Sequence, residues 1–211
     1  MNVSEPRTAT SGNRVLILFA HPALEKSRVN RHLVRAVRDL PGVTVHDLYE
    51  AYPEHDIDVV REQELLAEHD VIVFMHPFFW YSTPAILKEW QDLVLQHGWA
   101  YGSGGTALHG KRLLSAVTTG GRETAYCREG YNHFTIRELL APIEQTARLC
   151  GMEYVPPFAV HGTLGMGAEQ IAGHARDWRR TVEALRDGRL DVERARETRR
   201  LNLDLDAVIT D

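Results

Sequence analysis

At the turn that follows its first apolar run, the chain of 211 residues has neither G-x-G-x-x-G nor a glycine-rich loop ending in Gly-Lys-Ser. That turn is therefore not built like a dinucleotide fold or a nucleotide hydrolase. Cysteine is nearly absent: Cys127 and Cys150 form no C-x-x-C pair and allow at most one bridge, which suits a reducing cytoplasm. His, Cys, Asp and Glu show no metal-ligand spacing, so no metal site is expected. There is no basic stripe interleaved with aromatics, and the net charge of -5 argues against a general nucleic-acid binder. No run approaches the roughly 18 apolar residues of a membrane span, and the opening MNVSEPRTATSGNR lacks an apolar h-region. What remains, with 44% apolar and 25% charged residues, is the composition of a single domain with a sizeable core, flanked by tails.

Apolar runs of strand length alternate with helical patterns. RVLILFA (14–20), VTVHDL (43–48), VIVFMH (71–76) and KRLLSAVTT (111–119) read as strands, and EYVPPFAVHG (153–162) as a fifth whose two prolines suit an edge. Between them Val29, Leu33, Val37 and Leu40 keep one helical face. Ile136, Leu140, Ile143 and Ala147 keep another, and Ile171, Trp178, Val182 and Leu185 a third. Such alternation predicts a parallel sheet covered on both sides, either a Rossmann half or a doubly wound sheet in the order 2-1-3-4-5. In either case a ligand sits beyond the carboxyl ends of the strands, so the loops after strands one, three and four carry the functional information.

Those three loops are the unusual parts of the chain. The first, in ILFAHPALEKSRVNRHL (17–33), holds His21, Pro22, Ser27 and Asn30 and no glycine. Ser27 is placed to cap a helix starting near Arg28, whose free N–H groups and dipole favour an anion, and Asn30 offers a further donor; the same residues also fit a plain cap and strand end. The second, HPFFWYSTPAILKEW (76–90), follows Pro77 with Phe78, Phe79, Trp80 and Tyr81. Four adjacent aromatics suit a planar apolar ligand, or alternatively a core or dimer face. The third, TTGG (118–121), lets the backbone approach a ligand closely.

Taken together, the AHP and S-x-x-N of the first loop, the segment 76–90, HGWAYGSGGTALHGK (97–111), TTGG and PPFAVHG (156–162) resemble one family. It is that of the flavodoxin-like NAD(P)H:quinone oxidoreductases, in the bacterial branch that includes ancillary proteins of glutathione-gated potassium-efflux antiporters. The resemblance covers about residues 14 to 186 and implies a five-stranded doubly wound sheet in the order 2-1-3-4-5. It further implies that His21, Ser27, Arg28, Val29 and Asn30 hold the phosphate and ribityl end of a flavin. Pro77, Phe78, Phe79, Trp80 and Tyr81 would lie along its ring, and Thr118, Thr119, Gly120 and Gly121 would offer donors to its pyrimidine edge. Tyr126, at the family's spacing, would hydrogen-bond a substrate oxygen, and His133 is a second candidate as proton donor, with a surface histidine as its alternative reading. Phe79 makes the pocket floor more apolar than in relatives that carry a polar residue there.

The implied activity is two-electron reduction of a quinone or another electrophilic acceptor by NADPH or NADH, with reductant and acceptor binding in turn. The cofactor is FMN, with FAD the alternative. The resemblance implies a homodimer, located in the cytoplasm or held at the inner membrane through a partner. The competing function is that of a regulatory ancillary subunit of a potassium-efflux antiporter, its flavin structural or sensory. The expected organisation is an N-terminal arm (1–12), a flavin-binding domain (13–186) and a charged extension (187–211). The extension, DGRLDVERARETRRLNLDLDAVITD, reads from its composition as solvated and partly disordered, or else as docking Leu201, Leu203 and Leu205 on a second subunit or partner.

Overall fold

The computed structural model describes residues 12–210, so the expected N-terminal arm lies outside the described residues except for Gly12. Five strands form one parallel sheet: β1 (Val15–Phe19), β2 (Val43–Asp47), β3 (Val71–Pro77), β4 (Arg112–Thr118) and β5 (Glu153–Val160). Their order is β2-β1-β3-β4-β5, one of the two arrangements that the alternation of elements left open and the one that the family resemblance implies. β1 and β3 are buried along their whole length because helices cover both faces, which is why they read as continuous apolar runs. β5, with Pro156 and Pro157, is an edge strand, and its register against β4 slips between Leu114 and Ala116.

Helices α1 (Arg28–Val37) and α7 (Ala168–Asp187) cover one face. There Val29, Leu33 and Val37 meet Val15, Ile17 and Phe19 of β1 together with Ile171, Trp178, Val182 and Leu185. On the other face lie α2 (Leu48–Ala51), α3 (Val59–Glu68), α4 (Ala85–Val94), α5 (Ile136–Leu139) and α6 (Ala141–Leu149). Leu16, Leu18, Ile72 and Phe74 pack beneath these helices, with Trp90 edge-on to Phe74 at 5.8 Å. The expected single helix over 136–147 is broken at Leu140 into α5 and α6, and its four apolar residues remain buried. No described helix is long and apolar enough to cross a membrane.

The charged C-terminal extension departs from expectation. Residues 189–210 form α8 (Val192–Arg196), a 3-10 turn (Leu201–Leu203) and α9 (Leu205–Val208), packed on the same chain. Leu190, Val192, Ala195, Leu201, Leu205 and Val208 are buried in the α1–α7 core cluster; of the alternating leucines only Leu203 is exposed. A composition-based reading missed this because the apolar residues are few and widely spaced, yet α8 and the 3-10 turn lie on β5, the turn also touches α7, and α9 packs on α8 and the turn. The segment is an integral layer of the fold.

Candidate active site

The site forms where three loops meet at Thr118. The β3–β4 register runs to the pair Pro77 and Thr118, and the Phe78 N–H donates to the Thr118 carbonyl at 2.8 Å. Asn30 Nδ2 donates to Thr118 Oγ1 at 3.0 Å and to Ser27 Oγ at 3.1 Å. One residue at the end of β4 thereby ties the loops after β1 and β3 to its own.

Ser27 caps α1 as the spacing suggests, its hydroxyl accepting the Asn30 N–H at 3.2 Å. The N–H groups of Arg28 and Val29 then have no intrahelical acceptor and point out of the helix start. A cleft of about 190 Å³ opens there, lined by Lys26, Ser27, Arg28, Val29, Asn30, Thr163 and Leu164. The Asn30 side chain is buried, both of its Nδ2 hydrogen bonds serve the loop junction and so position the helix start, and its Oδ1 is buried without a partner. His21 Nδ1 accepts the Ala23 N–H at 3.1 Å, and its ring stands edge-on to Phe79 at 6.2 Å. Burial lowers the His21 pKa, against an opposing pull from Glu25, which favours a neutral imidazole.

The aromatic loop divides. Pro77 and Phe78 are buried, Phe78 in the core beside Tyr126, whereas Phe79, Trp80 and Tyr81 face outward, Trp80 at 93% exposure. Trp80 and Tyr81 hold φ of 50° and 62° in a turn closed by the Ser82 N–H on the Phe79 carbonyl. Left-handed backbone is uncommon for bulky aromatics and costs on the order of 1–3 kcal/mol, so tertiary structure imposes it. Tyr81 Oη donates to Asn132 Oδ1 at 3.1 Å, linking this ridge to the segment after Tyr126.

In the TTGG turn the donors are unequally available. The Thr119 hydroxyl donates to the Gly121 carbonyl at 2.8 Å and its N–H to the Val160 carbonyl, so Thr119 is occupied within the fold. The N–H groups of Gly120 and Gly121, both exposed, have no acceptor among the described residues. Side chains here would be crowded: a Cβ on Gly120 would press on Leu164, and one on Gly121 on Tyr126, each at 3.3 Å. Burial raises the Tyr126 phenol pKa, and hydrogen bonding with Thr119 and Asn132 opposes it. His133 is exposed at φ 59°, with Nδ1 3.4 Å from the Arg128 carbonyl, while its neighbour Asn132 is the residue engaged by Tyr81.

Reading only the loops after strands one, three and four missed the loop after β5. Gly162 N–H reaches the Gly121 carbonyl, and Thr163 bonds the Thr119 carbonyl through both N–H and hydroxyl. His161 Nδ1 lies 3.0 Å from Thr119 Oγ1, which gives its proton to Gly121, so Nδ1–H is the donor there. Burial, reinforced by Arg200, lowers the His161 pKa to about 4. The signal was present as the histidine that closes PPFAVHG immediately after a strand, but only the sheet order sets that strand beside β4.

Comparison with known proteins is consistent with this geometry. The family described as having a flavodoxin-like fold (Flavodoxin_2) matches residues 13–182. An uncharacterized NAD(P)H oxidoreductase, YrkL, of Bacillus subtilis (strain 168) is 46% identical over 162 residues, 77% of this chain and 93% of that protein. General stress protein 14 of Treponema denticola, solved in complex with FMN, aligns with a TM-score of 0.78 at 40% identity over 82% of this chain and 99% of its own. An NADPH-quinone reductase from P. pentosaceus aligns with a TM-score of 0.73 at 34% identity, over 80% and 96%.

Proposed function

The chain belongs to the family with the flavodoxin-like fold, and on that premise we propose that it is a flavin-dependent NAD(P)H:quinone oxidoreductase carrying FMN. The observation that carries this reading is the convergence at Thr118 of unspent helix N–H groups, an exposed aromatic ridge and two free glycine N–H groups. These are the three surfaces that a phosphorylated, planar, edge-polar group requires. The residues fit FMN on two further counts: the helix-start cleft has the size and polarity for a phosphate, and the two exposed glycines leave their backbone N–H groups open to a ligand edge.

When bound, FMN supplies the chemistry of accepting and releasing two electrons. In this reading Arg28, Val29 and the Ser27 cap hold the phosphate, with His21 kept neutral beside them. Gly120 and Gly121 stabilise negative charge that develops at the ring edge, as oriented N–H groups do in an oxyanion site. Phe79, Trp80 and Tyr81 form one apolar surface, so the nicotinamide and the quinone use it in turn and the kinetics are ping-pong. Tyr126 donates a hydrogen bond to the acceptor oxygen, with His133 at the solvent side as the second proton donor. The exposure of Trp80 also fits a homodimer in which a second subunit covers the ridge.

Anaerobic titration of the FMN-reconstituted protein tests the reading. NADPH should bleach the flavin bands and menadione restore them, with only two spectral species throughout. Failure to bind FMN, or binding without reduction, overturns the enzyme reading in favour of an ancillary subunit.

A further inference from the structure

The family match ends at Val182, before the C-terminal segment begins, yet that segment reaches the candidate active site. Two side chains make the connection. Asn202 bonds the exposed edge of β5 as a neighbouring strand would: its Oδ1 accepts the Ala159 N–H at 3.0 Å and its Nδ2 donates to the Ala159 carbonyl at 2.9 Å. Two residues earlier, Arg200 places its guanidinium against Glu123, with Nη2 to Oε2 at 2.9 Å and Nε to Oε1 at 3.3 Å, while Nη1 donates to the Asn202 carbonyl at 2.9 Å.

Glu123 opens the 3-10 turn between Gly121 and Tyr126, and its carbonyl accepts the Tyr126 N–H at 2.9 Å. The Arg200 side chain is only 13% exposed, and its bond to the Asn202 carbonyl orients the fork from its own segment. Buried Leu201, between the two residues, fixes the segment on the core. A planar guanidinium gripping both carboxylate oxygens restrains orientation as well as distance, which a point charge does not.

We propose that Arg200 is a positioning residue of the active site. The C-terminal segment, anchored at Ala159 by Asn202, acts through Arg200 and Glu123 to hold the turn that carries Gly120, Gly121 and Tyr126. This rests on the oxidoreductase reading for its kinetic consequence, namely that acceptor affinity depends on a residue outside the segment shared with the family. Its physical content, restraint of the 120–126 turn, is independent of that reading.

The test uses the full chain in the FMN-loaded form, comparing wild type with Arg200→Ala, Arg200→Lys, Glu123→Gln and the Arg200→Ala/Glu123→Gln double variant. Amide exchange at Ala125 and Tyr126, whose N–H groups are bonded within the turn, should accelerate roughly tenfold in Arg200→Ala and Glu123→Gln, with the β4 interior unchanged. The double variant should be no faster than either single one, as partners in one contact behave. Arg200→Lys should fall between. The kcat/KM for menadione should fall about fivefold while the KM for NADPH changes less than twofold. Exchange in the turn that is unchanged in Arg200→Ala, or additive in the double variant, overturns the proposal. So does a loss of protection spread over the whole chain, which marks a merely structural role. If wild type turns over no quinone while the exchange pattern appears, the oxidoreductase reading fails and Arg200 still stands as the residue that positions the turn.

Discussion

Two polar clusters in this protein are built to opposite rules. Under the α2–α4 face, the Glu62 carboxylate is wholly buried and fully partnered, accepting Tyr52 Oη at 2.6 Å, Trp90 Nε1 at 2.8 Å and His46 Nε2 at 2.8 Å. Burial raises the Glu62 pKa, but these donors outweigh it and leave it below the usual carboxylate range. At the carboxyl ends of the strands, by contrast, Asn30 Oδ1 has no partner, Gly120 and Gly121 N–H groups are unspent, and Trp80 and Tyr81 hold left-handed backbone. A satisfied buried network specifies the fold; the unsatisfied, strained one is what the proposed function assigns to a ligand.

The comparison is broken most directly at Glu62. Glu62→Ala strands two buried donors, Tyr52 and Trp90, and the half-buried His46, and should cost about 3–5 kcal/mol in urea denaturation, with FMN affinity of the surviving folded protein unchanged. A loss under about 1 kcal/mol would mean that the network contributes little to the fold. The effect of acid should be smaller and should come from the site end. Burial lowers the pKa values of His76 and His161 to about 4, against about 6.5 for an exposed imidazole. Between those values the unfolded chain binds more protons than the native one, so stability is full above about pH 6.5 and declines as pH falls toward 4. We expect a loss of about 2–3 kcal/mol between pH 7 and 5, read from urea midpoints. Glu62 stays ionised in that window; its own contribution disappears only as pH falls through its lowered pKa. Rising stability on acidification would refute the assignment of neutral buried histidines. The smallest effect has the opposite sign: Trp80→Gly relieves a φ of 50° at a side chain that is 93% exposed. Its stability should hold or rise by about 0.5–1 kcal/mol while FMN affinity falls several-fold, separating strain kept for binding from packing kept for the fold.

Local residues carried much of this in legible form. The five strands, the helix faces through Leu33, Ile143 and Trp178, and the Ser27 cap all rest on patterns within a few residues, where period and capping chemistry act. The same holds for the edge character of β5, announced by its prolines. Phe78 turning inward while Phe79 turns out was not legible, because adjacent aromatics are alike until a core exists to receive one of them.

The sequence by itself determined the alternation of strands and helices that makes a covered parallel sheet, and three of the four loops that form the site, since hydrophobic period and turn chemistry are local and add up along the chain. Only the tertiary structure decided that Asn30 serves Thr118, that Thr119 is occupied while Gly120 and Gly121 are free, and that Arg200 reaches Glu123. Those contacts join residues 88, 2 and 77 positions apart; even the shortest depends on where Val160 and His161 sit beside β4. Which donors are spent is a property of neighbours brought together by the sheet, and no local pattern encodes it.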